Sequence, residues 1–313
     1  MKINKLLFLI IALSAAQINA VSVVYNMKIR RLFTLGAQVL NPGKSKLIGS
    51  VVPIFYKRDR HIVQVDAGVD AYEKSLTGGA ILNLRFVAKK KWWLEGTTGI
   101  EKESLKSCGT LNFKTSRTGI DDIILSGGYN FLLNDKSQFV LYGLAGFPTR
   151  TDVTALERFN TLVGTRFFGL GVGTELSYAP INTLERSLVG ITQFRFVHFF
   201  DRKWFPILPR NAKIQPGNIT DILLTLQCRE KLNVFEMGYN PTFFTNQAVV
   251  LATEKINADT FIRQSGYFTY MRLFKQLPGI ALPGLIGCGL SISKTEQFDT
   301  RAVSIFLNFS ALF

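Results

Sequence analysis

Past its first twenty residues this 313-residue chain has no run of eighteen apolar residues, which excludes a helical membrane protein. Histidine is almost missing, with only His61 and His198. Neither a GxSxG nor an HExxH stretch occurs, and no group of His and Cys has metal-ligand spacing. No catalytic, cofactor or metal site is therefore expected. A hydrolase built on His61 or His198 is the one enzymatic alternative, since a triad is assembled in space and in any chain order. Cysteine is equally scarce. Cys108, Cys228 and Cys288 are odd in number and far apart, so they make no disulfide framework, and a free buried thiol is expected for at least one. The glycine-rich stretch GLGVGTE (169–175) alternates with apolar residues in strand fashion. It is not a phosphate loop; small inward residues that widen a lumen explain it more simply.

What is present points out of the cytoplasm. Lys2 and Lys5 precede an unbroken apolar run from Leu6 to Leu13, and Ala16 or Ala20 offers a small residue for cleavage. Residues 1–20 are read as a secretory signal peptide, too short to span a bilayer. The chain is 47% hydrophobic, with 26 Phe and 26 Gly, a composition at home in an outer membrane. The formal charge is +15, and losing Lys2 and Lys5 with the signal leaves 35 basic against 22 acidic residues. An exported chain without a helical recognition pattern is not expected to bind nucleic acid. Anionic lipid head groups are the expected partners of the cations at strand ends and loops: KRDR (57–60), KKK (89–91), DRK (201–203), Arg210 and Lys213.

Apolar and polar residues alternate with period two along most of the chain, the mark of half-buried strands. Trp92, Leu94, Gly96, Thr98 and Ile100 oppose Glu95, Thr97 and Glu101; Phe168, Leu170, Val172, Leu176 and Tyr178 oppose Gly169, Gly171, Gly173 and Glu175. A soluble sandwich would show the same alternation. Connection lengths separate the two. Tight turns at 57–60, 89–91, 133–136 and near Lys231 alternate with long links at 102–118, 148–165, 200–218 and 244–260. Outer-membrane barrels have that asymmetry, with short periplasmic turns and long extracellular loops. The expectation is an all-β, antiparallel transmembrane barrel over residues 21–313, of about fourteen strands, twelve being the alternative count. Its first expected strand lies at 30–40, and the next two lie at 47–57 and 61–73.

The final strand carries Val303, Ile305, Leu307, Phe309 and Phe313 on one face, an apolar stripe suited to lipid. It is read as the barrel-closing strand and as the signal for the barrel-assembly machinery. The opposite faces of the strands supply the lumen. Asp66, Asp70, Arg85, Glu95, Glu175, Arg195, Arg229 and Glu236 are expected to line it, together with Gln193, Gln227 and Asn240. Acids outnumber arginines in that set, so anion selectivity does not follow from the basic composition.

Two neighbouring stretches carry a family resemblance. GIDDIILSGGYNFL (119–132) followed by VLYGLAGFPTR (140–150) resembles the outer-membrane family associated with the meta-pathway of phenol degradation, related to the long-chain fatty-acid transporters. Gly119, Asp121, Asp122, Leu125, Tyr129, Gly143, Pro148 and Thr149 carry the likeness, while Arg150 stands where the family pattern has glycine. The resemblance implies passive transport of small hydrophobic or aromatic compounds across the outer membrane. The rival expectation from another class is a structural or adhesive barrel acting through its extracellular loops.

Overall fold

The structure is a computed structural model that describes residues 46–64, 69–88, 92–109, 112–120, 122–132, 136–149, 168–183, 185–200, 202–203, 213–215, 217–245, 248–250, 255–257, 260–279, 282–295 and 300–312. No residue among them is helical. The strands are β1 (Lys46–Gln64), β2 (Val69–Ala88), β3 (Trp92–Gly109), β4 (Phe113–Ile120), β5 (Ile123–Leu132), β6 (Ser137–Phe147), β7 (Gly169–Asn182) and β8 (Arg186–Phe199). Two short strands follow, β9 (Arg202–Lys203) and β10 (Lys213–Gln215), before β11 (Asn218–Glu230) and β12 (Asn233–Thr245). The chain ends with β13 (Ala248–Val250), β14 (Lys255–Asn257), β15 (Phe261–Phe274), β16 (Gly284–Thr295) and β17 (Thr300–Leu312).

Each long strand pairs antiparallel with its neighbours in sequence, and β17 pairs back onto β1, from Ile48↔Leu312 to Asp59↔Arg301. That last ladder removes both sheet edges. β4 and β5 occupy one position between them, since both pair with β3 along different parts of its length. The closed barrel therefore has twelve strand positions, the lower of the two expected counts. The expected strand at 30–40 lies outside the described residues, and the ring closes without it.

A second adjustment concerns KRDR. Residues 57–60 form no turn; they lie within β1, whose ladder with β2 runs unbroken from Lys46↔Val87 to Gln64↔Val69. The expected strands at 47–57 and 61–73 thus become one strand and the start of the next. The reason is length. β1, β2 and β3 have 19, 20 and 18 residues, about twice the ~9–11 needed to cross a bilayer. Their surplus stands beyond the apolar zone, where an extended strand can carry charge on both faces, with Lys57 exposed and Arg58 and Glu73 buried. The expected long link at 102–118 is likewise part of this ribbon, formed by β3 and β4.

All of the surplus lies at one end. Connections at the opposite end are short: Thr183–Glu185 between β7 and β8, and Lys231–Leu232 between β11 and β12. Lys231 takes a left-handed φ of 51° to make its two-residue turn. At the loop end, β9 and β10 extend the β8–β11 hairpin and β13 and β14 extend the β12–β15 hairpin. These four pair into a separate small sheet in the order β14-β13-β10-β9. In β7 the register slips between Tyr178 and Ile181, around Pro180, which has no N–H for the ladder.

The wall is inside-out relative to a soluble protein. Along β17, Val303, Ile305, Leu307 and Phe309 are exposed, while Ala302, Ser304, Phe306, Asn308 and Ser310 are buried. The same division holds on the other long strands, and buried polar residues outnumber buried apolar ones among the described residues. An apolar band on that scale in contact with water would be a liability, whereas in lipid it is the solvated surface. Aromatic rings border it at both ends. Trp92, Tyr129, Phe131 and Phe139 meet in series, edge-on or tilted, at the turn end. Phe147, Phe168, Phe200 and His198 do so at the loop end. Cys108, Cys228 and Cys288 are free and all exposed, against the expectation of a buried thiol, because each falls on an outward position.

Candidate functional site in the barrel interior

Register decides which inward side chains meet. Following cross-strand partners around the wall, one inward row runs Trp93, Gly128, Tyr142, Gly173, Arg195, Asp221, Thr242, Arg263 and Thr295. Side chains on adjacent strands in such a row are in contact range. Asp221 therefore receives a partner from each side. Arg195 donates from Nε (3.1 Å) and Nη2 (2.5 Å) to Oδ2, and Thr242 Oγ1 donates to Oδ1 at 2.7 Å. Arg263 Nη2 continues the row to Thr242 Oγ1 at 3.4 Å. Arg195 is 5% exposed and Asp221 0%, so the pair is withdrawn from solvent and stands only because its hydrogen bonds are made.

A second set lies nearer the turn end. Tyr267 donates to Glu236 Oε1 at 2.7 Å, and its hydroxyl meets Thr225 Oγ1 at 2.6 Å. Gln193 Nε2 donates to the Tyr142 hydroxyl at 2.8 Å. On the other side of the ring Arg85 sits 3.8 Å from its cross-strand partner Glu95 and 4.4 Å over the Trp93 ring. Arg195 and Arg85 are thus each paired with a carboxylate, while Arg263 reaches the row through Thr242.

A different surface covers β1 and its neighbours. Ile48, Val52, Ile54, Tyr56, Ile81, Ala302 and Phe306 form a buried apolar cluster on β1, β2 and β17. These are inward positions, not lipid-facing ones. β1 and β8 stand six places apart in the ring of twelve, so the apolar surface faces the ionic one across the barrel.

Of the expected lumen residues, Arg85, Glu95, Glu175, Arg195 and Glu236 are buried at inward positions. Gln193, Gln227 and Asn240 are buried as well. Arg229 is half-buried at the turn end, where Nη2 donates to the Thr183 carbonyl at 2.5 Å. Asp70 is on β2 opposite Val63, while Asp66 and Phe313 lie outside the described residues. Asp221 and Arg263 were not among the expected lining residues. Asp221 shares strand parity with Gln227 and Arg229, and that signal was available. The two histidines are far apart along the barrel wall: His61 stacks on Tyr72 at 4.0 Å, and His198 Nδ1 hydrogen-bonds the Asn218 amide oxygen at 2.7 Å. Among the described residues no group of three or more His, Cys, Asp or Glu could hold a metal ion.

A closed antiparallel wall with an apolar exterior, aromatic borders and a polar interior defines an outer-membrane-type β-barrel. Solved structures agree on the fold. An outer membrane channel from Pseudomonas putida F1 is similar with a TM-score of 0.63 at 14% identity, over 87% of this chain and 96% of that chain. The transport unit of the autotransporter AIDA-I from Escherichia coli has a TM-score of 0.51 at 9% identity, over 85% of this chain and 90% of that one. No protein-family model matches the chain, and no curated protein sequence does.

Proposed function

We propose that this protein is a passive outer-membrane channel for small molecules, suited to solutes with an apolar or aromatic body and one polar group. The observation that carries this reading is the two-sided interior. The inner wall has the Ile48, Val52, Ile54 and Ile81 cluster on one side and, on the other, the Arg195, Asp221 and Arg263 row set among Leu223, Val234 and Met271. Eight-stranded barrels are filled by their own side chains and wider ones enclose a path, which favours transport at twelve positions. The turn end faces the periplasm and the loop end the exterior, as in outer-membrane barrels generally. Export through the 1–20 signal, a barrel domain within 21–313, assembly through the β17 stripe and contact with anionic head groups complete the proposal. Nothing in it calls for catalysis.

The test is flux into liposomes containing the refolded protein, comparing an aromatic alcohol with a sugar of similar mass. Faster entry of the aromatic alcohol than through protein-free bilayers supports the reading. Equal entry with and without folded protein would sink it.

A second reading has its own support. The β1–β4 ribbon and the small β9, β10, β13 and β14 sheet both project at the loop end, a surface suited to adhesion. Deleting residues 200–218 would abolish surface binding under that reading and leave flux intact.

A further inference from the structure

Five inward aromatic residues face a glycine directly across the ladder: Trp93↔Gly128, Tyr142↔Gly173, Phe199↔Gly169, Tyr267↔Gly238 and Phe306↔Gly289. The coincidence is geometric as well as sequential. A Cβ built on Gly173 would first meet the ring and hydroxyl of Tyr142, and one on Gly238 those of Tyr267. At Gly289 it would meet the Phe306 ring and the Thr269 methyl, and at Gly128 the Trp93 ring at 2.7 Å together with the Leu141 carbonyl. Each ring therefore lies flat over the backbone of the next strand, in the space a side chain would fill.

The hydroxyls show how far the rings reach. Tyr142 on β6 crosses β7 at Gly173 to meet Gln193 on β8. Tyr267 on β15 crosses β12 at Gly238 to meet Thr225 on β11. These rings run along the wall, tangential to the barrel, when the same side chains pointed at the axis would obstruct it. An aromatic ring is several ångströms long, so its tilt changes the free width left inside a barrel whose diameter strand number fixes.

We infer that Gly173, Gly238 and Gly289 set the bore of the barrel by seating the rings of Tyr142, Tyr267 and Phe306 against its wall. They act through the rings and are positioning residues for whatever passes. The inference rests on the channel reading for its consequence, although the seating itself does not.

The experiment uses the refolded full-length chain, with folding verified by heat-modifiable gel mobility, and two readouts. The variants are Gly173→Ala and Gly238→Ala. The control is Gly146→Ala, which adds the same methyl at an inward-parity glycine with nothing within 4 Å. The first readout is nitration of Tyr142 and Tyr267 mapped by mass spectrometry, with the outward Tyr178 as internal standard. The second is single-channel conductance. Seated rings are protected, so nitration of Tyr142 should rise in Gly173→Ala, nitration of Tyr267 should rise in Gly238→Ala, and neither should rise in Gly146→Ala. Conductance should fall in the same two variants and return to the wild-type level or above in Gly173→Ala/Tyr142→Ala. Unchanged nitration in both variants overturns the seating. Raised nitration with unchanged conductance, in a protein whose wild type conducts, overturns the control of bore. A silent wild type with raised nitration removes the channel reading, and the bore claim with it, while the seating stands. Should one variant fail to fold, the other decides by the same criteria.

Discussion

The β8–β11–β12–β15 arc of the interior and the β1–β2–β17 arc are built from the same kind of strand and solve opposite problems. The first buries charge. Its residues are held by a hydrogen-bonded row in which Arg195, Asp221, Thr242 and Arg263 depend on one another. The second buries a continuous patch of carbon, with Ile48, Val52, Ile54, Ile81 and Phe306 in contact, and keeps Arg58, Glu73 and Arg85 beside it. In a soluble protein the second arc would be the core and the first an anomaly. Here the outward face takes the apolar role, and the inward face is free to be divided between the two chemistries. The stability of the ionic arc lies in its connections, and that of the apolar arc in its volume.

That difference can be broken from either side. The largest effect is expected for Asp221→Ala, which leaves the Arg195 guanidinium buried without its carboxylate; about 3–5 kcal/mol should be lost in urea unfolding from lipid vesicles. The double replacement Arg195→Met/Asp221→Leu should cost less than Asp221→Ala alone, since no charge is stranded. A double variant that loses as much as the two single changes together would mean that the row is not one unit. On the apolar arc, Phe306→Ala should cost about 3 kcal/mol through the cavity it leaves, with no compensating partner change available. The smallest effect falls outside both arcs. Lys231→Gly relieves a left-handed φ of 51° and should raise the unfolding free energy by about 1 kcal/mol. A loss of stability there would show that the Lys231 side chain, and not the turn, was the stabilising feature.

Much of this architecture is legible from alternation. The outward placement of Trp92, Leu94, Leu170 and Val172 and the lipid-facing stripe of β17 follow from parity once lipid is taken as the solvent. Length was harder to read. KRDR has the polarity of a turn, yet strand β1 runs through it because charge is compatible with an extended strand that has left the bilayer. Splitting there adds one strand, and the 30–40 segment adds another, which accounts for fourteen against the twelve of the closed ring. Pairing was harder still. Parity places Asp221 inward, but only the registers of β8 with β11 and of β11 with β12 bring Arg195 and Thr242 to it. Phe306 reads as an exception in a polar face, and it becomes intelligible only when Gly289 is seen across the ladder.

The channel itself is tested most directly by planar-bilayer conductance of the refolded protein under a salt gradient. Discrete steps with a reversal potential near zero are the predicted result, because Arg85 and Arg195 are paired with Glu95 and Asp221 and the excess positive charge lies at strand ends and loops. Silence from verified, folded protein, or strong anion selectivity, would contradict it.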